Sequence, residues 1–223
     1  MLRGRSRLPV LAEVGGPAEA RAWSLRRQDF ERLRPVLPQL AERRAVLVAG
    51  EGEEPAVAAI ALAAAAAASG RRTVLVDCDL ARPRLATHLG LAAAPGVHEY
   101  LRWEAEPADV LQPVALAGPA AAGAIEPLVC ICGGRPATKA ETLLGLQSFS
   151  HMIEKLRGAY ELVLVLSPPV EAEPGSCLAV ARRADAVIAG LPAAEAKGRG
   201  GRAVRKAIHQ LPVPALGAIS VHS

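Results

Sequence analysis

Aromatic side chains are scarce in this sequence: two Phe, two Trp and two Tyr make up 3% of 223 residues. A core built here cannot rest on large rings and has to be assembled from Ala, Leu and Val. Excess charge is also lacking. The formal net charge is +4 and the isoelectric point about 9.1, too mild a bias for a nucleic-acid surface to organise the molecule. An acidic partner or an anionic membrane surface stays compatible with it. Cysteines number four, at Cys78, Cys130, Cys132 and Cys177, all inside apolar runs. Metal sites need further ligands at suitable spacing, and His98, His151 and His209 stand alone, so no metal is expected. Free buried thiols in a reducing compartment fit best. No apolar run is long enough to span a bilayer: the longest, Ala56 to Ala68, falls short of the roughly 20 residues required. With no signal peptide at its start, the chain is expected in the cytoplasm, reaching the inner face of the cell membrane only through a partner.

What is present is a regular alternation. Residues 1–27, rich in Arg, Gly and Pro, read as an N-terminal linker with a short extended piece at Leu8–Val14, and 28–223 as one domain. A short helix is expected from Gln28, with Phe30, Leu33 and Leu37 on one face, ending near Arg34 because Pro35 and Pro38 follow. Strands are expected at Ala45–Ala49, Thr73–Asp77, Leu128–Cys132, Leu162–Leu166, Ala186–Gly190 and Ala215–Ser220. Helical segments separate them at Pro55–Ser69, Glu106–Leu111, Lys139–Leu156, Gly175–Arg183 and Arg199–Leu211. Strands alternating with helices imply an α/β domain with a doubly wound, mainly parallel sheet covered on both faces. The alanine-rich helix is punctuated by Pro55 in its first turn and Gly70 at its stop. Small side chains there suit a helix lying close against a sheet.

Strand, glycine loop and helix at Val46–Ala68 form the arrangement that cradles phosphates. Backbone N–H groups and the helix N-terminus make an anion nest, a Lys reaches the β- and γ-phosphates, and Ser or Thr holds magnesium. Here the loop reads Ala49-Gly50-Glu51-Gly52-Glu53-Glu54-Pro55-Ala56. Gly50 and Gly52 remain, but neither the Lys nor the Ser/Thr occurs. Two readings of Glu53 and Glu54 stay open: solvated glutamates ahead of a helix, or an internal carboxylate lodged in the phosphate nest and favoured by the helix dipole. Asp77 and Asp79 follow a strand at its carboxyl end, where α/β proteins hold ligands. They either cap the next turn or bind a metal, while Arg82 and Arg84 either pair with them or project into solvent.

These segments resemble a family, the bacterial tyrosine kinases of capsule and exopolysaccharide synthesis, related to partition-type and cell-division ATPases with a P-loop NTPase fold. Leu8-Pro9-Val10-Leu11-Ala12-Glu13-Val14 resembles the stretch that follows the membrane-anchored chain-length regulator in fused members. Gln28-Asp29-Phe30-Glu31-Arg32-Leu33-Arg34 is similar to the family's Glu-x-x-Arg-x-x-Arg assembly helix, which implies a partner contact at Phe30, Leu33 and Arg34. Val74-Leu75-Val76-Asp77-Cys78-Asp79-Leu80-Ala81-Arg82-Pro83 resembles its second Walker box. Gly96-Val97-His98-Glu99-Tyr100-Leu101 resembles its Gly-Leu-x-x-Tyr/Val-Leu segment. Leu164-Val165-Leu166-Ser167-Pro168-Pro169 resembles the Walker B strand ending Asp-Thr/Ser-Pro-Pro.

Against that family, Pro55 and Ala56 stand at the Walker A Lys and Ser/Thr, Leu166 at the Walker B Asp, and Ala81 at the arginine of the second box. Gln28 and Glu31 replace two of the three assembly residues. The family's tyrosine-rich tail is absent, since the tyrosines are Tyr100 and Tyr160. Phosphoryl transfer is nearly all positioning and electrostatic stabilisation, so these losses together imply a catalytically inactive, kinase-like regulator or scaffold. No catalytic residue and no cofactor are expected, ATP and magnesium having lost their ligands. Gly50, Gly52, Glu53, Glu54, Asp77 and Asp79 would be a relict nucleotide pocket. The resemblance implies as partner a membrane polysaccharide co-polymerase or an active kinase paralogue, in a homo- or hetero-oligomer. One alternative is a divergent ATPase or autokinase that still binds nucleotide. Another is a partition-like binder of DNA or anionic membrane, using a basic surface of Arg202, Arg205 and Lys206, with Lys197 and Arg199 nearby.

Overall fold

The computed structural model describes residues 8–16, 26–114, 127–196, 198 and 201–222. Its strands are β1 (Val10–Gly15), β2 (Ala45–Ala49), β3 (Thr73–Asp77), β4 (Gln112–Val114), β5 (Leu128–Ile131), β6 (Leu162–Leu166), β7 (Ala186–Pro192) and β8 (Ala215–His222). They join in one eight-stranded sheet, in the order β1-β8-β7-β2-β6-β3-β5-β4. Every neighbouring pair is parallel except β4 with β5 at one edge. The central strands β2, β3 and β6 are buried along their whole length. A parallel strand covered on both faces shows no polar alternation, and these three begin and end at the residues expected from sequence.

Helices cover both faces. On one lie α1 (Arg27–Leu33), α2 (Glu54–Ala68) and α3 (Leu85–Leu89), packed with Val46, Val48, Leu162, Leu164 and Leu166. On the other lie α4 (Val97–Leu101), α5 (Ala140–Leu144), α6 (Gln147–Ala159), α7 (Pro174–Ala181) and the later α9 (Arg202–His209), packed with Leu47, Ala49, Val163 and Val165. A single turn, α8 (Ala193–Ala196), follows β7. Cys130 and Cys132 share one face and Ile131 takes the other, as strand alternation requires. Helix α2 is buried all round from Pro55 to Ala67. Its alanines let it lie against the sheet while α1 packs over its outer side. Helix α6 is the contrasting case, burying Phe149, Met152, Ile153 and Leu156 at helical spacing along one stripe.

Four features depart from the sequence reading. Within the residues assigned to the N-terminal extension, Val10–Gly15 is an integral edge strand: Ala12 and Val14 enter the core, and the Gly15 N–H donates to Asp29 Oδ1 at 3.3 Å. Arg26 reinforces that junction, lying 3.3 Å from the Asp29 carboxylate and donating to the Gly16 carbonyl at 2.5 Å. Glu106–Leu111 forms turns rather than a helix, because the Asp109 carboxylate accepts the Glu106 N–H at 2.9 Å and Pro107 intervenes. The expected helix Lys139–Leu156 is two helices, broken at Gly145–Leu146. Short elements with no periodic signal, α3, α4 and β4, were not foreseen.

Candidate functional site

The phosphate-type loop follows β2, and the sheet order sets β6 and then β3 beside it. Backbone bonds knit the three carboxyl ends: Ser167 N–H to Val48 O at 2.9 Å, Cys78 N–H to Leu166 O at 3.0 Å, and Val170 N–H to Gly50 O at 3.2 Å. On the far side the loop presses on β7. A Cβ on Gly190 would stand 2.6 Å from Pro55 Cα, and one on Gly50 would stand 2.5 Å from Gly190 O. Gly52 adopts φ of 70°, the left-handed region that glycine enters without steric cost.

Asp77 and Asp79 organise the opposite wall. Asp77 is fully buried and accepts three backbone N–H groups, from Asp79 at 3.1 Å, Arg84 at 2.8 Å and Leu85 at 2.9 Å. It therefore folds the turn after β3 and starts α3. Asp79 accepts the Arg82 N–H at 3.2 Å and pairs with Arg84 Nη2 at 3.3 Å. Burial pushes the Asp77 carboxyl up to about 6, against the pull of its N–H donors. Asp79 is likewise raised to about 6 by burial, with Arg84 opposing. Both aspartates cap the turn after β3. Among the described residues no three His, Cys, Asp or Glu side chains cluster as metal ligands.

The central occupant of the loop is an arginine. Arg84, its side chain 16% exposed, bridges Asp79 and Glu53 and donates through Nη1 to the Gly52 carbonyl. Gly50, Gly52, Pro55, Asp79, Arg84, Leu166, Ser167 and Pro169 enclose a cavity of only about 10 Å³. That is about the space of one water molecule. Neither glutamate of the loop lodges there. Glu53 stands on the rim, 64% exposed, 3.4 Å from Arg84 and 3.0 Å from His88 Nε2. Glu54 lies over Gly52, where a Cβ would meet its carboxylate at 2.7 Å. The open choice over these glutamates thus falls against an internal carboxylate: Glu53 is exposed, and beside the loop the half-buried cation Arg84 pairs with the buried Asp79. The sequence signal for that cation was the pair Asp77 and Asp79, which as buried carboxylates need a positive partner.

Other expected positions divide. Pro55 and Ala56 are buried in the first turn of α2, and Leu166 forms an apolar wall. Ala81 is half-buried and offers no charge. Leu33 is fully buried and Phe30 packs on the core, so α1 spends on its own domain two residues expected to contact a partner; Arg34 is exposed. The basic surface is broken as well. Arg205 turns inward, donating to the Glu195 carbonyl at 2.8 Å, while Lys206 stays exposed. Arg202 lines a cavity of about 400 Å³ beside Glu51, Glu54, Glu171 and Glu195, so its surroundings are acidic. Lys197 and Arg199 lie outside the described residues.

The architecture is an α/β, P-loop NTPase-like domain. It is similar to the chimerical protein CapA2B2, with a TM-score of 0.77 and 16% identity, covering 96% of this chain and 94% of the other. It is similar also to the kinase domain of Escherichia coli tyrosine kinase ETK, at TM-score 0.75 and 18% identity, covering 97% and 91%. A more distant similarity, TM-score 0.56 and 18% identity over 78% of this chain and 68% of the other, links it to the septum site-determining protein MinD from Pyrococcus horikoshii. No protein-family model matches the sequence, and no curated protein sequence matches it. The chain thus has the fold of bacterial tyrosine kinase domains and, more distantly, of partition-type ATPases.

Proposed function

We propose that this chain is a kinase-fold protein that works by binding rather than by phosphoryl transfer, as a regulator or scaffold in capsule or exopolysaccharide assembly. One observation carries the reading: Arg84 bridges Asp79 and Glu53 beside the loop, and only about 10 Å³ is left there. A nucleoside triphosphate with magnesium does not fit these residues. The loop offers no lysine, Ala56 no hydroxyl and Leu166 no carboxylate, and Glu53 and Glu54 add negative charge at the entrance. Each lost electrostatic contact is typically worth about 3–4 kcal/mol in transition-state stabilisation. The capsule setting comes from the motif resemblance, supported by the shared fold. The partner in this reading is a membrane polysaccharide co-polymerase or an active kinase paralogue. Among the described residues no helix is long and apolar enough to cross a membrane, consistent with attachment through that partner.

Isothermal titration of the full chain with Mg-ATP tests the reading. The expected result is no saturable heat, with no phosphate incorporated on prolonged incubation. Micromolar affinity would overturn it.

A further inference from the structure

A second charged constellation lies away from the phosphate-type loop, at the carboxyl end of β5. A groove of about 600 Å³ there is lined by His98, Arg102, Glu104, Arg135, Lys139 and Thr142, among others. Its frame is built. Glu99 is buried, accepting the Gly96 N–H at 2.9 Å, the Arg135 N–H at 3.1 Å and Arg135 Nε at 2.8 Å. One carboxylate then holds two guanidinium groups side by side: Glu104 accepts from Arg135 Nη2 and from Arg102 Nε, each at 2.6 Å. Among the described residues, both Nη groups of Arg102, Nη1 of Arg135 and the Lys139 ammonium have no protein partner. These are forked and point-charge donors left facing solvent, the chemistry that matches carboxylates.

Between Arg102 and Glu104 stands Trp103. Its backbone has φ of 62°, and it is the one non-glycine residue in the left-handed region among those described. It closes α4: the Glu104 N–H reaches back to Glu99 O at 2.9 Å, a helix stop that ordinarily takes glycine. A bulky side chain there costs backbone energy that glycine would avoid. The return within the domain is slight, because Trp103 is 84% exposed. An indole held outward at a conformational cost, beside two pre-positioned guanidinium groups, has the composition of a protein-binding hot spot.

We infer that this groove and Trp103 form a docking surface for an acidic, extended segment of a protein partner. Carboxylates of the segment engage Arg102, Arg135 and Lys139, and a flanking apolar side chain covers Trp103. A protein segment is favoured over a small anion because Trp103 lies outside the groove lining and a small anion would leave it bare. The inference does not depend on whether the phosphate-type loop binds nucleotide.

The test uses the full chain with Trp23→Phe, which leaves Trp103 as the only tryptophan. The probe is a capped hexaglutamate peptide with a central leucine. Titration is expected to give a saturable blue shift of Trp103 emission that weakens as salt rises. A fluorescein-labelled form of the peptide, read by anisotropy, is expected to bind roughly tenfold more weakly to Lys139→Glu and to Trp103→Gly. Trp103→Gly is also expected to melt at a higher temperature than the parent, since it removes the backbone cost. The inference is overturned if millimolar peptide leaves the emission unchanged, or if both variants bind as well as the parent. It is equally overturned if inorganic phosphate alone produces the same saturable shift, or if the shift tracks self-association of the protein.

Discussion

At the residue scale the decisive pair is Asp79 with Arg84. Asp79 is 2% exposed, and Arg84 is the cation in contact with it. Removing one partner of a buried pair strands the other charge, which typically costs about 3–5 kcal/mol. Arg84→Leu should therefore lower the unfolding free energy by about that amount at pH 7, read from urea denaturation, and Arg84→Leu with Asp79→Asn should recover part of the loss. Asp77 and Asp79 also set a pH dependence. Their folded values near 6 lie above the ordinary carboxyl range of about 3.9. The folded state then holds protons that the unfolded chain would release. Their contribution is fully present below about pH 4 and is lost as pH rises through about 6. Melting temperature should thus rise as pH falls from 7 to 5, and Asp77→Asn should flatten that rise. The aspartates were legible from sequence by their place after a strand. Pairing of Arg84 with an aspartate was one of two readings left open, and the choice was not legible, because an arginine five residues beyond Asp79 has many rotamers and only the folded turn selects one.

At the scale of elements, packing decides. Helix α2 is a run of small residues buried on all sides, and Ala63 is wholly inaccessible. Ala63→Leu should destabilise the domain by about 1–3 kcal/mol through overpacking, measurable by thermal melting. Lys206→Ala, on the exposed side of α9, should change stability by no more than about 0.5 kcal/mol in the same assay. Helix α2 and the central strands were legible because length and apolar pattern agree there, whereas α6 was read as one helix with α5 because the break at Gly145–Leu146 leaves the apolar pattern uninterrupted. Helix α9 shows the limit of that signal. Val204 and Ile208 mark its buried stripe, and Arg205, next to Val204, is carried inward with it, where a neighbouring carbonyl receives its guanidinium. The failed helix at Glu106–Leu111 has a local cause, a side-chain turn that competes with the backbone ladder.

At the scale of the molecule, β1 closes one edge of the sheet. It pairs with β8 from Val10 to Gly15 and is held by Asp29 of α1. Deleting residues 1–16 should uncover the β8 edge and remove Leu8, Ala12 and Val14 from the core. Burial of such side chains is worth about 1.5–3 kcal/mol for each large one. The expected outcome is a lower melting temperature together with concentration-dependent light scattering, because an unpaired edge strand templates association. That strand was visible in sequence only as a short extended piece among linker-like residues. Its membership in the sheet depends on pairing with residues some 200 positions away.

The sequence by itself determined the alternation of buried strands and helices, and hence the parallel α/β sheet. It also determined the side-chain chemistry missing around the phosphate-type loop: the side chains of Pro55, Ala56, Ala81 and Leu166 carry no group that binds phosphate or magnesium, whatever the fold. Tertiary structure decided what stands there in its place. The sheet order brings the ends of β2, β6 and β3 together, and only that meeting sets Arg84 between Asp79 and the Gly52 carbonyl. It likewise turned Leu33 and Arg205 inward and left Trp103 outside. The physical reason is common to these cases. Apolar periodicity and absent functional groups are local properties of a chain, whereas the partner of a charge and the exposure of a side chain depend on residues far apart in sequence.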